Sequence, residues 1–238
     1  MERGQTSAIA SPGEVTDLLC EFLEVAIHLL LSLRNIYPAE IFERRRHFNV
    51  PVQWIRHQDL RDYVHSALSS LHSWIQQGTV EKVAVVFMDK KRMAVERFIF
   101  KLNVNQNFAS AMPVNDLEYA LRTFLIKLSV SHSLFRPLPA DCSFEIVAYS
   151  KLLPGDATDK GRLWIPADCS QWQQPPEITP VKSVRSELLD VQLYIEHPSA
   201  AEQSPSDQQI VQAVQDPDMC FLCTSPTHLC LTVRRTES

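Results

Sequence analysis

The sequence predicts an α+β fold in which an antiparallel sheet packs against three helices. Three observations lead there. The first apolar segment repeats at helical spacing and is apolar almost all round, which puts that helix in the middle of a core. Two runs rich in β-branched and aromatic residues, Lys82–Met88 and Val95–Leu102, are separated by the polar stretch Asp89-Lys90-Lys91-Arg92 and read as a hairpin. The full order is helix, helix, hairpin, helix, strand, long loop, strand, the pattern of a sheet covered by helices.

Each element has a local reason. Residues 1–12 are polar and small and are expected to be disordered. Ser11-Pro12-Gly13-Glu14 sets up a helix start, with Glu14 and Asp17 near the positive end of the dipole. Leu18, Leu19, Phe22, Val25, Ala26, Leu29 and Leu33 carry this helix to about Asn35, and Pro38 stops it. Residues 38–56 read as a loop with the charge run Glu43-Arg44-Arg45-Arg46-His47, either a contact to a nucleic acid or an acidic partner, or a solvated edge. A second helix, Asp59–Gln77, shares Leu60, Tyr63, Val64, Ala67, Leu68, Leu71, Trp74 and Ile75 on one face, and Gly78 ends it. The hairpin follows, then a loop over 104–112. A third helix spans Val114–Val130, with Leu117, Leu121, Phe124, Leu125 and Leu128 inward, and a strand covers Cys142–Tyr149.

From Ser150 to Pro180 periodicity fades and prolines and glycines punctuate the chain. A loop this long inside a domain is uncommon and usually functional. Leu188–Ile195 alternates as a final strand, which places Gln192 and Tyr194 on the face opposite Val191, Leu193 and Ile195. Residues 13–197 therefore read as one domain. Residues 198–238 turn to Ser, Gln, Pro and Asp and end in a short cysteine-rich stretch, expected as a disordered extension.

Charge and cysteine usage narrow the class. Twenty-three basic against 28 acidic residues leave a net charge of −5. Non-specific binding to nucleic acid works by Lys and Arg releasing counterions from phosphates, so this chain is a poor primary DNA binder. The run Val25–Leu33 is broken by His28 and Ser32 and falls short of the roughly 20 apolar residues that span a bilayer. Six irregularly spaced cysteines without a secretory signal read as reduced thiols. No glycine-rich phosphate loop, His-Glu-x-x-His or Gly-x-Ser-x-Gly is present. His28 reads as a satisfied core histidine, and Cys20 and Cys142 as packed thiols.

Several blocks fall in a recognisable order: Cys20-Glu21-Phe22-Leu23-Glu24-Val25-Ala26-Ile27-His28-Leu29-Leu30, continuing to Phe48-Asn49-Val50-Pro51-Val52-Gln53; Val80–Val86; Leu121–Lys127; and Ser186–Glu196. Over about residues 14–197 the chain resembles the HORMA-domain family, in particular its DNA polymerase zeta accessory-subunit branch. The resemblance implies a HORMA fold in which residues 150–197 form a mobile safety belt that closes over a partner peptide. It implies a non-catalytic adaptor without cofactor, joining the catalytic subunit of DNA polymerase zeta to the deoxycytidyl-transferase polymerase in translesion synthesis. Further implied partners are shieldin subunits in double-strand-break repair, an AAA+ remodelling ATPase and another HORMA protomer. Cell-cycle control and a location in the nucleus, also the cytoplasm, go with them.

The resemblance also assigns residues. Tyr63 and Trp164 match aromatics that contact the partner peptide; a core role is the alternative for each. Ile178, Lys182, Gln192 and Tyr194 match the second-partner surface. Arg122 and Lys127 match the dimer surface; two solvated basic residues on an amphipathic helix are the alternative. Two other readings stay open. One is a spindle-checkpoint HORMA protein that inhibits the anaphase-promoting complex, which Phe48–Gln53 speaks against. The other is a zinc-dependent binder or enzyme acting through Cys220, Cys223, His228 and Cys230, a set with one good Cys-x2-Cys half and one cramped half.

Overall fold

A computed structural model describes residues 11–105, 113–151, 164–167, 172, 174–186, 188–199 and 229–233. Its first helix, α1 (Pro12–Leu33), starts where the sequence places it. Ser11 Oγ accepts from the Glu14 amide at 3.2 Å, and the Glu14 carboxylate accepts from the Ser11 amide at 2.8 Å. This capping box satisfies two donors that a helix start otherwise leaves open. Val15, Leu19, Phe22, Leu23 and Val25 to Leu31 are buried. The edge contacts of Phe22 with the rings of Phe48, Phe100 and Phe124 show why: α1 is enclosed by neighbours on several sides.

The second helix, α2 (Gln58–Gln76), closes with Gly78 at φ 67°. Gly78 N donates to Ile75 O and Thr79 N to Trp74 O, both at 3.0 Å, the paired bonds of a left-handed glycine cap. The third helix, α3 (Val114–Ser129), turns Leu117, Leu121, Phe124, Leu125 and Leu128 inward as expected. The three helices pack with one face of a seven-stranded antiparallel sheet. Four of its strands match the sequence reading: β3 (Val80–Met88), β4 (Ala94–Val104), β5 (Ser143–Ser150) and β8 (Leu189–His197).

Residues 38–56 depart from the expected loop. A short 3-10 turn at Ala39–Ile41 leads into a two-stranded hairpin, β1 (Phe42–His47) and β2 (Val50–Ile55). Val50, Val52, Trp54 and Ile55 are buried beside α1, while Pro51 and Gln53 face outward. The row Arg44-Arg45-Arg46 hides the strand in β1, because all three arginines are exposed and give no apolar alternation. The turn residues Phe48 and Asn49 both have positive φ, 48° and 58°. For a bulky residue such as Phe48 this conformation is unusual, and packing against Phe22 accompanies it.

The region after β5 departs twice more. The stretch read as loop contains β6 (Trp164–Pro166) and β7 (Glu177–Arg185). β7 was obscured by Pro180, which a sheet tolerates here because β7 is an edge strand. β8 is not the last strand. Part of the extension expected to be disordered forms β9 (Leu229–Val233), and the sheet order is β6-β9-β5-β3-β4-β8-β7. Residues 1–10, most of the stretch between Ser150 and Trp164, and Cys220, Cys223 and His228 lie outside the described residues.

His28 carries a pH prediction. It is fully buried on α1, its Nδ1 accepts from the Ile55 amide at 3.1 Å, and it lies 4.0 Å from the Trp54 ring. Burial lowers its pKa from 6.5 to about 3. Below pH 6.5 the unfolded chain takes up a proton there that the folded chain refuses, so stability falls as pH drops from 6.5 towards 3. The loss by pH 5 is about 2 kcal/mol relative to pH 7. His28→Asn keeps an acceptor near the Nδ1 position and should remove this share of the acid sensitivity in pH-dependent urea melts. An unchanged slope would rule the histidine out as its source.

Candidate functional site

β9 lies between two strands. On one side it pairs with β5, Val147 to Ser150 opposite Thr232 to Leu229. On the other it pairs with β6, Trp164 to Pro166 opposite Val233 to Leu231. Leu231 and Val233 are buried in the main core, and Thr232 Oγ1 donates to Ile146 O at 3.2 Å. Among the described residues β9 is the strand partner of β6, so β6 joins the sheet through the strand beside it.

α2 forms the wall behind this slot. Tyr63 and Ser70 are seven residues apart, hence on one helix face, and Trp74 follows one turn later. Trp164 is 6% exposed, donates its indole N–H to Ser70 Oγ at 2.7 Å, and sits 6.2 Å from the Trp74 ring. Tyr63 leans edge-on against Phe144 of β5, and its hydroxyl accepts from the Ile146 amide at 3.4 Å. That amide is the next position along β5 beyond the β9 ladder. The two aromatics assigned to partner binding are thus brought to one site. Ser70 and the β9 strand itself were missed from sequence. Leu229-Cys230-Leu231-Thr232-Val233, between Pro226 and Arg234-Arg235, did carry a strand-like run.

The opposite edge is held down by buried charge. Glu96 on β4 and His197 at the end of β8 are almost fully buried, as is the Arg34 side chain just after α1. Arg34 Nε lies 2.7 Å from Glu96 Oε2, and His197 Nε2 lies 2.9 Å from Glu96 Oε1. Arg34 also donates to Arg136 O at 2.6 Å. Arg136 pairs with Glu177 of β7, and Trp172 covers the Arg97 guanidinium at 4.3 Å while donating to Glu196 at 3.2 Å. One carboxylate therefore ties together the end of α1, β4 and the end of β8.

The second-partner residues fall into two groups. Ile178, Gln192 and Tyr194 share the face of β7 and β8 that points away from the helices, with Ile178 opposite Glu196. Ile178 is 58% exposed. Tyr194 is half-buried: it packs against a second apolar cluster of Ala84, Val86, Met88, Ile99 and Val147, and burial pushes its pKa up to about 12. Lys182 sits past a bulge opposite Leu193, out of that row.

On α3, Lys127 is exposed while Arg122 is partly buried. Arg122 Nε donates to Phe48 O at 2.8 Å, so it holds the positive-φ turn of the β1–β2 hairpin. Tyr119, Ile126 and Val130 beside it are exposed. Arg122→Ala should cost about 1–3 kcal/mol in chemical unfolding, the usual value of a partly buried charged hydrogen bond. Arg122→Lys would retain charge but not the Nε geometry. A neutral alanine variant would mean the turn holds without this bond.

Among the described residues no cluster could hold a metal and no helix is long and apolar enough to cross a membrane. Cys230 is disulfide-bonded, a correction to the reading of six reduced thiols. Irregular spacing does not reveal which cysteines meet in the fold, and a disulfide sulfur offers no thiolate to zinc.

The HORMA-domain family profile matches residues 16–158, more than half of the chain. The chain belongs to the HORMA-domain family. Over 191 residues this HORMA chain is 52% identical to the DNA polymerase zeta processivity subunit of Arabidopsis thaliana, covering 80% of this chain and 89% of the relative. It is 34% identical over 190 residues to the mitotic spindle assembly checkpoint protein MAD2B of Homo sapiens, covering 76% and 90%. Among solved structures, a chain of the mitotic checkpoint complex superposes with a TM-score of 0.62 at 19% identity, covering 77% of this chain and 98% of its own. C. elegans HTP-2, bound to the HIM-3 closure motif, superposes with a TM-score of 0.64 at 14% identity, covering 81% and 94%. At those identities the structural likeness speaks for the HORMA fold.

Proposed function

We propose that this HORMA chain is a non-catalytic adaptor that takes a partner peptide as an added strand against β5, beneath Trp164. The observation that carries this is the slot: β5 accepts a strand along Val147–Ser150, and β6 closes over its other side. Strand addition supplies main-chain hydrogen bonds for affinity, while flanking pockets supply choice of side chain. A guest paired on both sides leaves only after β6 opens, so slow release is expected.

The guest we propose is a short Pro-containing segment of the catalytic subunit of DNA polymerase zeta. The 52% identity to a polymerase zeta processivity subunit, above the 34% to MAD2B, supports this over a checkpoint role. The outer row Ile178, Gln192 and Tyr194 is proposed as the surface for the deoxycytidyl-transferase polymerase in translesion synthesis, with Lys182 at its margin. The α3 surface with Arg122 and Lys127 is proposed for another HORMA protomer. Contacts with shieldin subunits and an AAA+ remodelling ATPase, and a location in the nucleus and cytoplasm, belong to the same proposal. The test is binding of a labelled peptide from the polymerase zeta catalytic subunit to wild type and Tyr63→Ala, following affinity and release. Slow release that Tyr63→Ala accelerates would support it. No binding by folded wild type, even at long incubation, would overturn it.

A further inference from the structure

We propose that the outer edge of β1 is a docking site for an acidic peptide in extended conformation, one that carries carboxylates at alternate positions. The site is separate from the β5–β6 slot and does not depend on it. Arg44, Arg45 and Arg46 are all exposed, but they play different parts. Arg45 Nε donates to Glu43 Oε1 at 2.6 Å, and its guanidinium lies 5.6 Å from the centre of the Trp54 ring. His47 stacks on the same ring at 4.5 Å and faces Glu21 at 3.5 Å. Glu43, Arg45 and His47 therefore serve the hairpin and its contact with α1. Arg44 and Arg46 alternate with them and so lie on the other face, opposite Gln53 and Pro51, which are exposed too. Among the described residues neither of these two arginines has an acidic partner.

The backbone of the same two residues is open. β1 and β2 form a sheet of two strands, so among the described residues no strand pairs with β1 on its other side. In an antiparallel ladder, residue pairs that exchange hydrogen bonds alternate with pairs that do not. Arg56 N donates to Ile41 O at 2.8 Å, which fixes the phase. Glu43, Arg45 and His47 bond to β2, while Phe42, Arg44 and Arg46 turn their N–H and C=O groups away from it. Two details agree. Pro51, opposite Arg46, has no N–H to give, and the Ile55 amide, opposite Phe42, donates to His28 instead. Arg44 and Arg46 thus offer an added strand both main-chain bonds and positive charge. Residues of that strand directly opposite them would project on the same face, where opposite charges across a ladder attract. The arginines also select against other occupants. A second copy of β1 would set arginine against arginine, one way in which edges are protected. A nucleic acid is disfavoured by the net charge of −5 and does not match the alternating N–H and C=O groups of a strand edge.

The test uses the full chain and, as probe, a labelled synthetic peptide of alternating glutamate and valine. The probe should bind wild type, and more weakly as salt rises. It should bind the double variant Arg44→Glu, Arg46→Glu at least about tenfold more weakly, since two attractive pairs become repulsive. The same peptide N-methylated throughout keeps its carboxylates but has no amide hydrogens to give to β1. It should bind wild type at least about tenfold more weakly than the parent peptide. No binding by wild type, or equal binding by the folded double variant, would overturn the proposal. Equal binding of the N-methylated peptide would reduce the site to charge alone and overturn the strand. Displacement of the probe by an equal concentration of oligothymidylate would make a nucleic acid the occupant and overturn the peptide. Should the double variant fail to fold, amide hydrogen exchange on wild type decides. Exchange at Arg44 and Arg46 should slow when the probe is added. Unchanged exchange there with the probe bound would overturn the proposal.

Discussion

Glu96→Ala is expected to destabilise the protein by about 3–5 kcal/mol, the usual cost of removing one partner from a buried ion pair. The Arg34 guanidinium would remain in the core with its Coulombic partner gone, beside the rings of Phe87 and Phe135. Burial already lowers the pKa of Arg34 from its ordinary value, and Glu96 is the chief opposing influence. His197 would lose its Glu96 contact at the same time, loosening the end of β8 from β4. For a domain of this size the melting temperature should fall by roughly 10 °C. Glu96→Gln keeps the shape and one acceptor but removes the charge, so it should fall between wild type and alanine. A shift of under about 2 °C for alanine would mean the cluster contributes little and β8 is held by its ladder alone.

Trp164→Ala should act on release of the guest more than on global stability. Trp164 is buried, but β6 has three residues and joins the sheet through β9. Short segments of this kind open locally at little cost to the rest of a domain. Truncating a buried aromatic at the centre of an interface commonly costs 2 kcal/mol or more. Release of a bound peptide should therefore accelerate about 30-fold or more, with a melting shift smaller than that of Glu96→Ala. Ser70→Ala should give a weaker version, since it leaves the indole N–H without its 2.7 Å partner. Unchanged release from a folded Trp164→Ala would show that β6 does not gate the slot.

Much of the fold was legible because its periodicities are local. The heavily apolar α1, the amphipathic α2 and α3, and the β3–β4 hairpin each declare their period within about twenty residues. The missed elements depend on distant partners. β1 presents exposed arginines, and its strand exists because Val50, Val52 and Trp54 of β2 pack beside α1. β7 contains Pro180, which reads as a breaker until the strand is known to lie at an edge. β9 is five residues long, and its pairing with β5 spans about eighty residues of chain.

The site divides in the same way. Tyr63 and Trp164 were singled out by resemblance, but the contact of Trp164 with Ser70 and that of Tyr63 with β5 required the tertiary structure. Gln192 and Tyr194 were placed on the correct face by strand alternation alone. That face turned out to carry a second apolar cluster, which half-buries Tyr194. Glu96 reads in sequence as an ordinary charged position in a strand, because nothing local marks the approach of Arg34 and His197.

The most direct test of the slot is hydrogen exchange on the full chain with and without the polymerase zeta peptide. Amides of Val147–Ser150 should remain protected in both states, because one strand replaces another on β5. Residues 229–233 should lose protection in proportion to peptide bound. Peptide bound at saturation with residues 229–233 still protected would place the peptide elsewhere and contradict the shared slot.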